Sequence, residues 1–252
     1  MKKVLTALIA GLAMLCMTGL AHASLVTIGT ASYGGADYNL IYDDDDTGYG
    51  GGGLVWLDYT NSYDTWANQV SWASGVGSSL TVTLKPGYTT SIDWATGWRL
   101  PETMDGSWVY GYEGDPDDNG IYTYTAGCNL ANSEMGHLFY TELGNLGYVA
   151  TDGSNPQTGW GLNNTGDFDY LITSWYWSGA GCSHDPGGAW LFSMYDGVQA
   201  YDHKCGYFDG LAVRSGQVSA ADPIPEPATM LLFSTGLAGL AALKRKRKGS
   251  RV

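Results

Sequence analysis

The run from Asp115 to Gly120 has the residue types and spacing of a metal-binding loop. Oxygen-bearing side chains stand at its first, third and fifth positions, which are Asp115, Asp117 and Asn119. A glycine at the sixth position permits the sharp turn that the first half of a calcium loop makes. The bidentate acid expected at about position 12 is missing, because Ala126 stands there. We therefore expect either a Ca²⁺ site at these three residues or a solvated acidic turn.

Cysteine and histidine residues lie close together in the later part of residues 24–222, which we call the central sequence. Cys128, Cys182 and Cys205 allow one disulfide in an oxidising compartment, and the odd number leaves one thiol over. We expect Cys182 to pair with Cys205 across an apparent hairpin, which leaves Cys128 free or bound to another chain. His184 and His203 lie near this pair in the sequence, so a metal site is the alternative there.

Four tyrosines flank the acidic run, and they are Tyr110, Tyr112, Tyr122 and Tyr124. Their alternation puts the two members of each pair on one face of a strand. Exposed aromatic rings stack on sugar faces and acidic side chains bond to hydroxyls, so this pattern is compatible with glycan binding. The alternative is that the rings pack in the core or on each other.

The central sequence is strongly acidic. Between Ser24 and Asp222 there are four cations and 24 acids, so the formal charge is 4 − 24 = −20. Such a surface repels nucleic acid and anionic lipid, which argues against both as partners. The adjacent carboxylates from Asp43 to Asp46 are expected to form a solvated loop, because four neighbouring acids rarely converge on one ion.

One of the four cations, Arg99, lies in the block Trp98-Arg99-Leu100-Pro101. With so many acids available, its guanidinium is expected to form a partly buried bidentate pair with a carboxylate. Trp98 and Leu100 should share one face of an extended segment, with Arg99 on the other face and Pro101 at the end. We therefore predict a structural role for this block.

Two segments have apolar residues at helical spacing. The first begins at Asp64, its expected N-cap, and ends at Gly75. The second runs from about Asn132 to Leu146, with Gly147 as its expected C-cap. The apolar residues at this spacing are Trp66, Val70 and Ala73 in the first segment and Met135, Leu138, Phe139 and Leu143 in the second.

The rest of the central sequence is typical of a β-rich extracellular module with many turns, because it is rich in glycine and aromatic residues. Short apolar runs predict strands between Leu25 and Leu57, and again from Leu80 to Leu84. Asp196-Gly197 between two apolar runs indicates a hairpin, and Leu211 to Arg214 forms a closing strand.

Residues 1–23 have the pattern of a secretory signal peptide. Two lysines precede an apolar run that ends at Leu20, and Ala21-His22-Ala23 supplies a cleavage site before Ser24. The chain is therefore expected to enter the Sec translocon.

The region 219–252 combines a linker with three further parts. Pro225, Glu226 and Pro227 leave an extended, accessible backbone. An apolar helix is expected over 228–243, barely long enough to cross a bilayer, and the basic tail 244–252 holds the C-terminus on the cytoplasmic side. In this order the parts resemble the PEP-CTERM sorting signal of Gram-negative bacteria, which implies processing by a membrane-embedded exosortase. The alternative is a simple C-terminal anchor.

Several blocks between residues 40 and 215 resemble the Lcl C-terminal-like family of secreted bacterial domains, which is similar to C-type-lectin-like and sulfatase-modifying-factor folds. The blocks are Thr47-Gly48 with Leu54-Val55-Trp56, the predicted helix that contains Trp66, Trp98-Arg99-Leu100-Pro101, Tyr176-Trp177-Ser178-Gly179, Ala189-Trp190 and Val213-Arg214. The resemblance implies an α+β domain over 24–218, with two helices packed on a twisted, mostly antiparallel sheet. About 30 residues separate Trp98-Arg99-Leu100-Pro101 from the second predicted helix, whereas the family keeps the two close. The resemblance implies no firm activity.

We therefore expect an exported surface or extracellular-matrix protein without catalytic residues, sorted by an exosortase and linked to exopolysaccharide or biofilm. As a precursor it is expected in the periplasm and inner membrane, and afterwards at the cell surface or in the matrix. A carbohydrate-binding, lectin-like module is the alternative function. The third is an oxidase like the formylglycine-generating enzymes, built on Cys182 and Cys205.

Overall fold

The computed structural model describes residues 25–44, 53–106, 109–114 and 130–220. The expected signal peptide and the expected apolar helix of the tail lie outside these ranges. Within them, no helix is both long enough and apolar enough to cross a membrane. The described chain is mostly sheet with two short α-helices, which fits the α+β class.

Eleven strands form within the described ranges. They are β1 (Val26–Tyr33), β2 (Ala36–Asp43), β3 (Leu54–Asp64), β4 (Thr81–Leu84), β5 (Tyr88–Thr90), β6 (Trp98–Arg99), β7 (Trp175–Gly181), β8 (Gly188–Ser193), β9 (Gln199–His203), β10 (Phe208–Ser215) and β11 (Val218–Ala220).

Nine of these strands form one sheet, in the order β4-β1-β2-β3-β10-β7-β8-β9, with β6 added against β10. Strands β5 and β11 form a separate pair. Neighbouring strands are antiparallel except β10 and β7, which pair in parallel at Asp209 and Tyr176. The expectation of a mostly antiparallel sheet is therefore confirmed. The predicted closing strand, β10, lies in the middle of the sheet, where it joins the N-terminal strands to β7, β8 and β9.

Both faces of the central strands are buried. In β3, Trp56 packs in one hydrophobic cluster, while Val55 and Leu57 pack in the other. Strand β10 does the same with Val213 and Ala212. Because neither face meets water there, the runs 54–57 of β3 and 211–213 of β10 are continuously apolar instead of alternating between apolar and polar residues.

The first helix, α1 (Trp66–Val76), covers one of the two faces. Its N-cap is Thr65, one residue later than expected, and the Thr65 side chain makes no capping bond. Asp64 Oδ1 instead accepts bonds from the Thr65 N–H and the Asn68 amide, each 2.7 Å long. Of the three residues predicted to face inward, Ala73 is fully buried, whereas Trp66 and Val70 are partly buried against the same cluster.

A segmented helix covers the opposite face. A 3₁₀ turn (Leu130–Asn132) leads into α2 (Glu134–His137), and a π-helical turn (Leu138–Glu142) follows directly. The predicted helix therefore ends earlier than Leu146. Gly144, with φ of +62°, adopts the left-handed conformation there, and the expected C-cap Gly147 does not. The predicted apolar face is buried at all four positions, Met135, Leu138, Phe139 and Leu143.

The predicted Asp196-Gly197 hairpin joins β8 to β9. The Ser193 N–H donates to the Val198 carbonyl at 2.9 Å, and Gly197 has φ of +82°. Glycine suits this position because residues with a Cβ rarely adopt a positive φ.

Candidate functional site

The Arg99 guanidinium binds the Glu134 carboxylate through two parallel bonds. Nη1 lies 2.6 Å from Oε2, and Nη2 lies 2.7 Å from Oε1. Strand β6 holds Arg99 opposite Val213 of β10, while Glu134 opens α2. The backbone N–H of Glu102 donates a further bond of 2.7 Å to Oε2. The bidentate pair predicted from the sequence is confirmed.

Burial alone would lower the pKa of the Arg99 guanidinium, but Glu134 and the charge of Glu102 outweigh it and raise that pKa above its ordinary value. The guanidinium therefore stays charged. One side of Arg99 also lines a cleft of about 350 Å³ between α1 and the end of β7, with Val70 and Gly179 on its walls. Since Glu134 occupies the guanidinium fork, this geometry gives Arg99 a positioning role: it fixes β6 to α2.

Asp58 is a buried carboxylate in the middle of β3. Its Oδ2 accepts the Asp169 N–H and its Oδ1 accepts the Tyr170 N–H, both at 2.9 Å. Burial raises the pKa of Asp58 to about 6, although the two backbone bonds oppose this rise. The carboxylate anchors the 167–170 loop to the sheet. The sequence signal for this role is an acid directly after the apolar run 54–57.

The expected disulfide between Cys182 and Cys205 is not present. Both are free thiols, and Cys182 is buried whereas Cys205 is exposed. Cys182 follows β7 and donates its N–H to the Gly188 carbonyl on β8 at 3.1 Å. Cys205 follows β9, on the far side of β8. A whole strand therefore separates the two cysteines. Cys128 lies outside the described residues.

Cys182 instead lies beside Asp105 and His184, with their potential metal-binding atoms within 4.8 Å of one another. The alternative metal site expected from the sequence is thus only partly assembled. His203 is not in this group, and its Nδ1 lies 3.9 Å from Asp185 Oδ2.

The Asp105 carboxylate already has bonding partners within the protein. Its Oδ1 accepts the Trp190 indole N–H and its Oδ2 accepts the Ser183 N–H, both at 2.9 Å. Burial opposes ionisation of Asp105, but these bonds and His184 outweigh it and hold the pKa of Asp105 below its ordinary value. Asp105 therefore has a structural role, joining its own loop to β8 and to the segment after β7.

The first two of the four flanking tyrosines pack against other rings, which is the alternative raised from the sequence. Tyr110 lies edge-on to Trp190 and Tyr201, at centroid distances of 6.4 Å and 6.1 Å. Tyr112 is tilted against Tyr148 at 6.4 Å. The remaining two, Tyr122 and Tyr124, lie outside the described residues.

Tyr112 begins a row of four rings that reaches the surface. We call Tyr112, Tyr148, Trp160 and Tyr195 the aromatic row. Tyr148 and Trp160 meet edge-on at 5.1 Å, as do Trp160 and Tyr195, and Tyr195 is 55% exposed. Asp196 lies beside the row, where its Oδ2 accepts the Tyr112 hydroxyl at 3.3 Å. Half-buried rings beside a carboxylate have the chemistry that a sugar ring requires.

The acidic run from Asp43 to Asp46 is not entirely a solvated loop. Asp43, the last residue of β2, is fully buried, whereas Asp44 is exposed. The reason is the strand period of two, which puts Asp43 on the same face of β2 as the core residue Ile41. The potential metal-binding atoms of Asp43, His137 and Glu142 lie within 4.8 Å of one another. No sequence pattern had indicated His137 or Glu142 as a ligand.

Two of the predicted sites lie outside the described residues. One is the calcium loop at Asp115, Asp117 and Asn119, and the other is the triplet Pro225-Glu226-Pro227. Nothing in the described fold bears on the calcium prediction.

Residues 223–247 place the chain in the class of exported proteins that carry a C-terminal sorting signal. The family model that matches them is described as the PEP-CTERM protein-sorting motif, and the match includes Pro225, Glu226 and Pro227. The chain is therefore an exosortase-sorted export substrate that is anchored in the membrane before processing. No curated protein and no solved structure was found to match the chain.

Proposed function

We propose that the chain is a surface or extracellular-matrix protein without catalytic activity, delivered by an exosortase in a Gram-negative bacterium that produces exopolysaccharide. The single observation that supports this proposal is the sorting motif at residues 223–247. The charge of the central sequence is in keeping with it, since a formal charge of −20 keeps an exported domain soluble and repels anionic partners.

The body of the protein is proposed to be an Lcl C-terminal-like domain with C-type-lectin-like relatives. The confirmed Arg99–Glu134 pair supports this proposal, because it explains why the block Trp98-Arg99-Leu100-Pro101 needs an arginine at its second position. Such a domain acts through its surface, and no reaction is assigned to it.

The sorting proposal is tested by the intact mass of the protein recovered from membranes and from the medium. We expect the membrane form to retain its C-terminal lysines and the released form to lack them. Glu226→Ala should trap the chain in the membrane with its tail intact. Asp222→Ala, which removes an acid just outside the motif, is the matched control and should be processed normally. If Glu226→Ala left both mass and destination unchanged, the proposal would be wrong.

Carbohydrate binding is the second candidate function, and the aromatic row favours it. Tyr195 is 55% exposed and in edge contact with Trp160, beside the Asp196 carboxylate. Because the domain is strongly acidic, neutral polysaccharides are the expected ligands and anionic ones should be repelled.

Affinity electrophoresis through neutral polysaccharides tests this second function. Trp160→Ala should abolish a ligand-dependent retardation by removing the central ring. Tyr207→Ala is the matched control, because Tyr207 is another exposed tyrosine, at 63%, in the turn between β9 and β10. Equal retardation of both variants would exclude the aromatic row as the binding surface.

A further inference from the structure

Three potential metal ligands converge from three elements in the interior of the domain. Asp43 is the last residue of β2, His137 the last residue of α2, and Glu142 the last residue of the π-helical turn. Their ligand atoms all lie within 4.8 Å of one another, and His137 Nε2 is 3.2 Å from Glu142 Oε1. The Asp43 residue is fully buried, and the side chains of His137 and Glu142 are 7% and 1% exposed.

The π-helical turn brings His137 and Glu142 together. In an α-helix, residues five apart point about 140° away from each other. A π-turn is wider, so that the fifth residue returns towards the same face. The Leu143 N–H donates to the Leu138 carbonyl at 2.9 Å, which is the five-residue bond that defines this turn. Without the wider turn, His137 and Glu142 could not face Asp43 together.

The charges of the three residues call for a cation. Two carboxylates and one imidazole share a buried volume, and Glu142 Oε2 is buried with no hydrogen-bond partner. A buried carboxylate oxygen normally has a hydrogen bond or a metal ion. The four lysines and arginines of the described ranges lie elsewhere: Arg99 on Glu134, Arg214 on the carbonyls of Asp93 and Thr96, Lys204 on the Pro186 carbonyl, and Lys85 exposed.

We propose that Asp43, His137 and Glu142 bind one divalent transition-metal ion, with zinc as the best match. Calcium prefers six to eight oxygen ligands, whereas an imidazole with carboxylates suits zinc. Tetrahedral zinc with ligands at about 2.1 Å holds neighbouring ligand atoms roughly 3.4 Å apart. His137 Nε2 and Glu142 Oε1, which form a hydrogen bond of 3.2 Å, are within about 0.2 Å of that spacing, so a bound ion would replace this hydrogen bond with little movement. Glu142 Oε1 would then bind the ion, and the buried Oε2, which has no hydrogen-bond partner, would be available as a second carboxylate ligand.

The ion would have a structural role. It would tie the end of β2, where the acidic run begins, to the segmented helix on the same face of the sheet. The group at Asp105, Cys182 and His184 is a different cluster. We do not propose a metal there, because the Asp105 carboxylate already accepts two protein bonds. The proposal does not depend on the sorting signal or on glycan binding.

The test is a titration of the untagged full-length chain, purified in detergent and stripped of metal by a chelator, with Zn²⁺ alone. We expect one tight site and a rise in Tm of about 5–10 °C when Zn²⁺ reaches about 100 times its Kd. Glu142→Gln keeps the shape of the side chain and should weaken Zn²⁺ binding by at least about 100-fold. Cys182→Ser and Asp105→Asn are the matched controls and should keep the native affinity.

Co²⁺ in place of Zn²⁺ gives a readout on the native chain, which matters if Glu142→Gln fails to fold. Ligation by nitrogen and oxygen gives visible bands without the near-ultraviolet charge-transfer band of a cobalt-bound thiolate. That spectrum supports the proposal. A thiolate band, or Zn²⁺ binding lost in Cys182→Ser and kept in Glu142→Gln, overturns it, as does the lack of any saturable Zn²⁺ binding.

Discussion

Replacing Arg99 with methionine is expected to lower the free energy of unfolding by about 3–5 kcal/mol at pH 7. The substitution keeps an unbranched side chain for packing but leaves the Glu134 carboxylate without its cation. The Glu134 side chain has no exposure to water, so solvent cannot replace the two lost bonds. The remaining bond from the Glu102 N–H satisfies only part of the charge.

A double-mutant cycle separates the interaction energy of Arg99 with Glu134 from the energies of their other contacts. Arg99→Met with Glu134→Leu removes both charges, and the double variant should recover about 2–4 kcal/mol of the summed single losses. An exposed ion pair would give a coupling of only about 0.2–1 kcal/mol. The size of the coupling energy therefore distinguishes a buried structural pair from a surface contact.

Urea denaturation of the exported protein, followed by tryptophan fluorescence, measures these energies. Lys85→Met is the matched control, because Lys85 is an exposed cation and its loss should change stability by less than about 0.5 kcal/mol. If Arg99→Met cost no more than Lys85→Met, the pair would not hold β6 to α2, and the structural role assigned to it would be wrong.

Three further predictions concern stability. The pKa of Asp58 is raised by burial from 3.8 to about 6, so its contribution to stability is full below pH 3.8 and is lost as pH rises through 6. Asp58→Asn should remove this part of the pH dependence from a series of urea titrations, and an unchanged profile between pH 4 and 7 would contradict the assignment. Gly197→Ala should cost about 2–3 kcal/mol, because φ is +82° and the added Cβ would lie 2.5 Å from the Tyr140 hydroxyl. Gly34→Ala, with φ of +59° and nothing within 4 Å, should cost about 1 kcal/mol, and equal losses would argue against the clash. Ca²⁺ should raise Tm and slow proteolysis near Asp115, whereas no effect on either would exclude the calcium loop.

The features that could be predicted from the sequence depend on local patterns or on the small number of cationic residues. Helix α1 follows from apolar residues at helical spacing, and the β8–β9 hairpin follows from Asp196-Gly197. The pairing of Arg99 with a carboxylate was predictable because the central sequence has only four cations among 24 acids. The identity of the partner, Glu134, could not be predicted, because 35 residues separate it from Arg99.

The features that were missed depend on long-range geometry. The disulfide prediction assumed that Cys182 and Cys205 face each other, whereas β8 lies between them. The burial of Asp43 could have been found by continuing the strand period of β2 beyond Ile41. The π-helical turn has no comparable signal, because the apolar spacing around Leu138 fits an α-helix equally well.

The central position of β10 has a consequence for how the protein matures during export. In the main sheet of the described residues, strands β1 to β4 are joined to strands β7 to β9 through β10, which ends at Ser215, eight residues before the sorting motif begins at 223. The sheet can close only after almost the whole polypeptide has crossed the membrane. Completion of the domain and arrival of the tail at the membrane are thus nearly simultaneous, and a prematurely terminated chain would lack both the joining strand and its means of delivery.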